Sequence, residues 1–340
     1  MSRTPRLPSA LLRAAACTGL AALTLTACGS GAGTGTAGSG SGSVKVGLIT
    51  KTDTNPFFVK MKEGAEKAAK EDGVQLMTAA GKFDGDNAGQ VTAIENMVAA
   101  GVKGILITPS DSKAIVPAIE KAKAKGVLVI ALDTPTEPQS AVDALFATDN
   151  LRAGELIGEY AKAAMKGKAA KIATLDLAPG VSVGVQRHNG FLKGFGVKDG
   201  DASVVCSQDT GGDQAKGQTA MENCLQKEPG INVVYTINEP AALGAYTALK
   251  AKGREKDVLI VSVDGGCTGT RAVKDGRIAA TSQQYPLKMA AEGVKAVVTY
   301  AKGGKKASGY TDTGVTLVTD RAQPGLTSKD TNYGLDNCWG

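Results

Sequence analysis

Histidine is all but missing from this chain: His188 is the only one in 340 residues. A serine–histidine–acid triad or a histidine-rich metal centre would have to be built around that single ring. Cysteine pairs at metal-ligand spacing are missing too, since no two of Cys206, Cys224, Cys267 and Cys338 form a CxxC half-site. There is no GxxxxGK[ST] loop for nucleotide phosphates and no GxGxxG at the first strand–helix turn. Gly180-Val181-Ser182-Val183-Gly184 fits the pattern of a hydrolase nucleophile elbow, but that motif needs a histidine well downstream, after an acid. His188 lies six residues on, inside the same expected helix. Charge of one sign never accumulates. Setting aside Arg3, Arg6 and Arg13 leaves 36 basic against 33 acidic side chains, a net of +3. Nothing in that balance asks for nucleic acid or another polyanion. Catalysis, a resident cofactor, a metal and a nucleic-acid partner are therefore not expected.

What is present begins with the first 28 residues. Arg3, Arg6 and Arg13 make a basic start with no acid before Cys28, followed by an apolar stretch from Leu11 to Leu25 and then Thr26-Ala27-Cys28. A basic region, a short apolar region and a small-residue cleavage site describe an export signal. Thr18, Gly19 and Thr24 break the apolar stretch, which is too short for a comfortable membrane span. The Leu-Thr-Ala-Cys ending resembles a bacterial lipoprotein signal. That resemblance implies residues 1–27 as the signal, lipidation of Cys28, and a body exported and lipid-anchored on the outer face of the cytoplasmic membrane or in the periplasm. Residues 28–43 read as a flexible Gly/Ser/Thr/Ala linker, with a reach of about 20 Å.

The 313 residues from Cys28 onward exceed one comfortable core and suggest two lobes. In an oxidising exterior the four remaining cysteines suggest two disulfides, with three pairings open. We favour Cys206–Cys224, a local loop worth about 3 kcal/mol, and Cys267–Cys338, a longer one worth about 4 kcal/mol.

From Val44 the chain alternates short apolar runs with segments of helical spacing. Strands are expected at 44–50, 74–80, 104–108 and 127–133, and again at 171–177, 202–207, 231–237 and 257–264. Gly73, Gly101 and Gly126 follow the first helices, where a left-handed cap is usual. In the second half, helices centre on 156–165, 185–195, 215–225 and 241–249. The strand runs lack polar alternation, as expected when both sheet faces are buried. The fold class that follows is α/β, with two doubly wound parallel-sheet lobes.

Ligands of such sheets bind beyond the carboxyl ends of the strands. Lys51, Asp53, Asn55, Phe57 and Phe58 follow the first strand, Ser110 and Asp111 the third, and Asp133 the fourth. Asp176, the Arg187 region, Asn238, Glu239, Asp264, Gln283 and Gln284 occupy the matching places in the second half. Planar carboxylates, amides and a guanidinium suit neighbouring sugar hydroxyls, and aromatic faces suit the ring's C–H surface. Asn55 before Pro56 also fits a helix cap, and Asp264-Gly265-Gly266 also fits a turn. Phe57 and Phe58 are adjacent at a helix start, where two neighbours rarely both point inward. His188 is expected to pack or cap near the lobe surface.

Several segments together resemble the substrate-binding lipoproteins of sugar ABC importers, in the ribose-type branch of the type I periplasmic-binding family. They are TNPFF at 54–58, ITPSDSKAIVPAI at 107–119, ALDTP at 131–135, FATDN at 146–150, INEPAALGAY at 237–246, VSVDGGC at 261–267 and TSQQYP at 281–286. The resemblance implies sugar contacts at Asn55, Phe57, Phe58, Asp133, Arg187, Asn238, Asp264 and Gln284. It implies a three-strand hinge with crossovers near 149–150, 284–285 and 313–314. One lobe would then hold 44–149 with 285–313, and the other 150–284 with 314–340. It further implies a monomer that closes on a monosaccharide and docks on an ABC permease with its ATPase. Thr134 stands where ribose binders carry arginine, and Gly212 near their ring-stacking phenylalanine. TPSDSKAIVPAIEKA, TINEPAA, SVDGGC and the Cys-Trp-Gly end are most similar to fructose-binding members, which implies fructose or a similar sugar. A sensor presenting its closed form to a receptor kinase or chemoreceptor is the alternative.

Overall fold

A computed structural model describes residues 43–340. The expectations for the signal, for Cys28 and for the linker up to residue 42 lie outside the described residues.

Four strand–helix steps open the body: β1 (Lys45–Thr50), α1 (Pro56–Glu71), β2 (Gln75–Ala80), α2 (Asn87–Ala99), β3 (Gly104–Ile107), α3 (Val116–Ala124), β4 (Leu128–Leu132) and then β5 (Ala144–Ala147). The chain crosses to a second sheet through α4 (Asn150–Met165), β6 (Ile172–Asp176), α5 (Ser182–Phe195), β7 (Val204–Asp209), α6 (Gln214–Lys227), β8 (Val233–Thr236), α7 (Glu239–Ala251), β9 (Leu259–Asp264), α8 (Cys267–Lys274) and β10 (Ala280–Gln283). It returns for α9 (Pro286–Ala301) and β11 (Gly309–Asp312), then crosses again to β12 (Thr316–Val318) and α10 (Thr331–Asp336). The sheets run β11-β5-β4-β3-β1-β2 and β12-β10-β9-β8-β6-β7. Every pairing is parallel except β10 with β12. These are two α/β lobes, each built on a six-stranded sheet.

The inner strands are central because their sequences leave little that is polar to show. β3, β4, β5 and β8 are buried throughout, as a parallel sheet covered on both faces requires. Each face has its own apolar core. Met61, Leu48 and Leu132 pack beneath α1 and α9, while Ile94, Ile105 and Ile119 pack beneath α2 and α3. Tyr160, Phe191 and Tyr235 fill one face of the second sheet, and Met221, Val234 and Leu249 the other. Gly73, Gly101 and Gly126 adopt φ of +66°, +75° and +79° after their helices, the left-handed turn that lets each helix stop and the next strand begin.

Two bridges form, Cys206–Cys224 and Cys267–Cys338, with Cα separations of 5.6 and 4.9 Å. Both are the favoured pairings. In the pair α4 with α5, Gly154 and Gly190 let backbones touch. A Cβ on Gly154 would collide with the Arg187 carbonyl, and one on Gly190 with the Leu151 carbonyl. Among the described residues no helix is long and apolar enough to cross a membrane.

Candidate functional site

The carboxyl ends of both sheets face one another around an inner cavity of about 30 Å³. Asn55, Phe57, Phe58, Asp133, Arg187, Asn238, Asp264 and Gln284 all line it. These eight residues come from at least seven separate elements or connections, so the topology brings them together. The cavity shares Asn55, Phe58, Asp84 and Asp264 with an outer groove of about 530 Å³.

At its centre lies Arg187 on α5, only 5% exposed. Its Nε donates to Asn150 Oδ1 at 2.8 Å and its Nη1 to the Ile237 carbonyl at 3.1 Å. Nη2 reaches Asp133 Oδ1 at 3.4 Å, and Nη1 lies 3.8 Å from Asp264 Oδ1. One guanidinium thus stands between carboxylates from the two lobes. Burial pushes the Asp264 carboxyl up to about 6, against the smaller opposing pull of the Arg187 charge. Gln284 Nε2 donates to the same Asp264 oxygen at 2.9 Å. Both aspartates sit on backbone that side chains rarely adopt, with φ of +60° at Asp133 and +142° at Asp264. Strain of this kind persists where surrounding contacts over-determine it. At Asp133 they include Thr134 Oγ1, donating to Oδ2 at 2.7 Å.

The turn after Asp264 is held by Glu239, whose carboxylate accepts from Gly265 N, Gly266 N and the Thr281 hydroxyl. Burial and the neighbouring Asp264 push Glu239 up to about 8. Asn238 is an N-cap: Oδ1 accepts from Ala241 N at 3.1 Å and Nδ2 donates to the Gly212 carbonyl at 3.0 Å. It lines the cavity with both polar ends already engaged. Asn55 also caps, through Oδ1 and Phe57 N at 3.0 Å. Phe57 and Phe58 are both buried, contrary to the expectation that such neighbours rarely both point inward. The cavity lies on the inward side of α1, so both rings join the core and line the cavity as well.

Two charged residues of the cavity were not singled out as contacts from sequence. Lys51 is 1% exposed at the end of β1. Lys51 stands among the strand-end residues named from the sequence, although not among the contacts that the resemblance implies. Asp84 belongs to the Gly81–Gly85 loop, which reads as a plain turn. Its Oδ1 is buried without a partner, and burial pushes the carboxyl up while Lys51 opposes the shift.

Other strand-end residues lie elsewhere. Asp176 pairs with His188, Oδ1 to Nδ1, at 2.9 Å, and the imidazole packs edge-on against Tyr235. Ser182 has no histidine partner. Its hydroxyl donates to the Pro135 carbonyl at 2.8 Å, and Ser112 Oγ lies 2.7 Å from it. Ser182 N donates to Ser112 Oγ at 3.1 Å and Ser112 N to the Gly180 carbonyl at 2.9 Å. The GxSxG segment is thereby stitched to the opposite lobe at the cavity rim. Among the described residues no cluster of metal-ligating side chains occurs.

A family model described as periplasmic binding protein domain matches residues 46–306. The ribose import binding protein of Bacillus subtilis is 38% identical over 241 residues, covering 71% of this chain and 76% of that protein. The D-allose-binding periplasmic protein of Escherichia coli is 30% identical, covering 76% and 85%. A solved solute-binding protein of Actinobacillus succinogenes with bound D-allose superposes with a TM-score of 0.73 at 29% identity, covering 81% of this chain and 97% of that one. These relatives are solute-binding proteins, not enzymes.

Proposed function

Since the chain belongs to the periplasmic binding protein family, we propose that it binds a monosaccharide between its lobes and delivers it to an ABC permease. The observation that carries this reading is Arg187, buried between Asp133 of one lobe and Asp264 of the other. Each of the three planar groups has room in its hydrogen-bonding capacity for a hydroxyl, and neighbouring hydroxyls fit a guanidinium or carboxylate in pairs. Phe57 and Phe58 offer apolar surface to the ring, with Asn55, Asn238 and Gln284 at its edge. Lys51 and Asp84 add a donor and an acceptor from the first lobe.

A cavity of about 30 Å³ holds water but no sugar ring. Ligand entry therefore requires the lobes to part, with 44–149 and 285–313 moving as one body and 150–284 with 314–340 as the other. A sugar that touches both lobes only when they are closed shifts the hinge equilibrium toward closure. The closed form then docks on the permease, whose ATPase drives release. The lipid on Cys28 keeps the body near the membrane.

The proposed ligand is fructose or a similar ketose. Thr134 supplies a hydroxyl already bonded to Asp133 where ribose binders place a guanidinium, and Gly212 offers no ring. Calorimetric titration against D-fructose, D-ribose, D-allose, D-xylose, D-glucose, D-galactose and myo-inositol tests the reading. Micromolar or tighter binding of fructose alone supports it in full. Binding of another sugar keeps the mechanism and replaces the ligand, and silence from the whole panel overturns it.

A further inference from the structure

Trp339 is the only tryptophan of the chain and is 5% exposed. The Cys267–Cys338 bridge ties it to the first residue of α8, and its carbonyl accepts from Cys267 N at 2.9 Å. From that anchor the indole touches three segments that carry proposed sugar contacts. Its ring meets Phe57 edge-on, centroids 5.3 Å apart. Its Nε1 donates to the Gln284 carbonyl at 2.9 Å. Its six-membered ring lies against Gly266, where a Cβ would come within 3.3 Å, and Gly266 is two residues beyond Asp264. Phe57 belongs to one lobe, the Asp264 turn to the other, and Gln284 to the connection between them. One side chain thus registers three parts of the cavity wall against a covalent anchor. Truncating it leaves the Phe57 edge unbacked, a buried carbonyl without its donor and the Asp264 turn without its neighbour.

We propose that Trp339, clamped by the Cys267–Cys338 disulfide, is a positioning residue for ligand binding that sets the places of Phe57, Gln284 and the turn bearing Asp264. The proposal rests on the sugar reading of the cavity. It makes affinity depend on one of the two disulfides and not on the other, because Cys206–Cys224 joins β7 to α6 without touching the cavity lining.

The test is calorimetric titration of the purified chain with D-fructose, D-ribose and D-allose, with Trp339 emission and melting temperature followed alongside. For the sugar bound best, Trp339→Ala weakens binding about thirtyfold, and Trp339→Phe, which keeps the ring contact and loses the donor, about threefold. The pair Cys267→Ser/Cys338→Ser weakens it about tenfold, whereas Cys206→Ser/Cys224→Ser stays within about twofold. Saturating sugar shifts the wild-type emission. A Trp339→Ala protein, or a Cys267→Ser/Cys338→Ser protein, that melts lower yet binds with unchanged Kd overturns the proposal, since the indole would then be packing alone. If Trp339→Ala does not fold, the phenylalanine and cysteine variants and the wild-type emission decide, and an emission indifferent to bound sugar overturns it. A wild type that binds none of the three sugars while another ligand binds sinks the sugar choice, and the same variants are then read with that ligand. With no ligand at all, the sugar reading fails and emission still judges the clamp. A red shift in Cys267→Ser/Cys338→Ser upholds the clamp, and an unshifted spectrum removes it.

Discussion

The second lobe brings Arg187, Asn238 and Asp264 to the cavity with their polar atoms already held by protein partners: the Ile237 and Gly212 carbonyls, the α7 cap and Gln284. The first lobe brings Lys51, Asn55, Asp84, Asp133 and two phenylalanines; Asn55 Oδ1 and both Asp133 oxygens have partners, while Asp84 Oδ1 is buried without any. Only the second lobe carries disulfides. The second lobe is therefore the more pre-organised half, holding the central guanidinium and the Asp264 turn in place, while the first lobe supplies the aromatic walls and, in Asp84, an uncommitted polar group. Pre-organisation cuts the ordering cost of binding, so losses on the second lobe should exceed losses on the first.

The largest expected effect comes from its centre. Arg187→Ala leaves two buried aspartates facing each other without their cation, costing about 3–5 kcal/mol of stability. Sugar affinity falls at least tenfold, and Asp264→Ala behaves alike. Asn55→Ala, on the first lobe, loses about threefold, because its helix keeps Pro56 at the start and one neutral hydrogen bond is worth about 1 kcal/mol. Titration and urea unfolding of the three variants measure both quantities. Equal losses for Asn55 and Arg187 would abolish the contrast between the lobes.

Next in size is a change that should touch stability alone. Cys206→Ser/Cys224→Ser opens a loop closed over 18 residues, worth about 3 kcal/mol in the chain-entropy account. The bridge sits in the core formed by Met221, Val234 and Leu249, on the sheet face served by α6 and α7. Denaturant unfolding should register the loss while calorimetry registers none. A fall in affinity would mean that the second lobe's rigidity is global, not confined to the residues around Arg187.

Much of this architecture was legible because burial on both sheet faces writes itself into the strands. ILIT and VLVIALD leave no polar alternation, and all eight expected strands form, with ends shifted by one or two residues. Four strands were not legible: the short, buried β5 and β10, and the closing β11 and β12. β11 reads Gly-Tyr-Thr-Asp and is exposed along its length, and β12 has three residues. Their place is set by pairing with β5 and β10, more than a hundred and about thirty residues away respectively. All eight contacts that the resemblance implied line the cavity, most of them beyond the carboxyl end of a strand and Arg187 within α5. Lys51 was named at its strand end but not as a contact, and Asp84, four residues beyond β2, was not named at all.

The rim gives a smaller effect, and a kinetic one. Ser182 and Ser112 join the lobes by hydrogen bonds that cannot survive opening. The Ser182 hydroxyl donates to the Pro135 carbonyl, so Ser112 Oγ donates to Ser182 and accepts from Ser182 N. Ser182→Ala removes two such bonds at a half-exposed site, each worth about 1 kcal/mol or less. Stopped-flow measurement should show sugar release accelerated about fivefold, with the association rate little changed. An unchanged release rate would place the energy of closure in the Arg187 cluster alone.

The smallest effect belongs to His188, held by Asp176 on the same lobe yet outside the cavity. The Asp176 carboxylate raises the imidazole above its ordinary value of 6.5, against a smaller opposing effect of burial. With the folded value above the unfolded one, the protonated ring contributes stability that is fully present below the unfolded value. That contribution fades as pH rises through the folded value. His188→Gln should therefore cost most in mild acid and least above neutrality, in melting curves taken across that range. Because the chain has no other histidine, a single imidazole resonance reports the titration directly, and Asp176→Asn should bring it back down. Sugar affinity should stay flat through the same titration. A sugar Kd that followed the His188 curve would show charge at this site reaching Arg187 along α5, and would extend the held half of the molecule beyond the cavity wall.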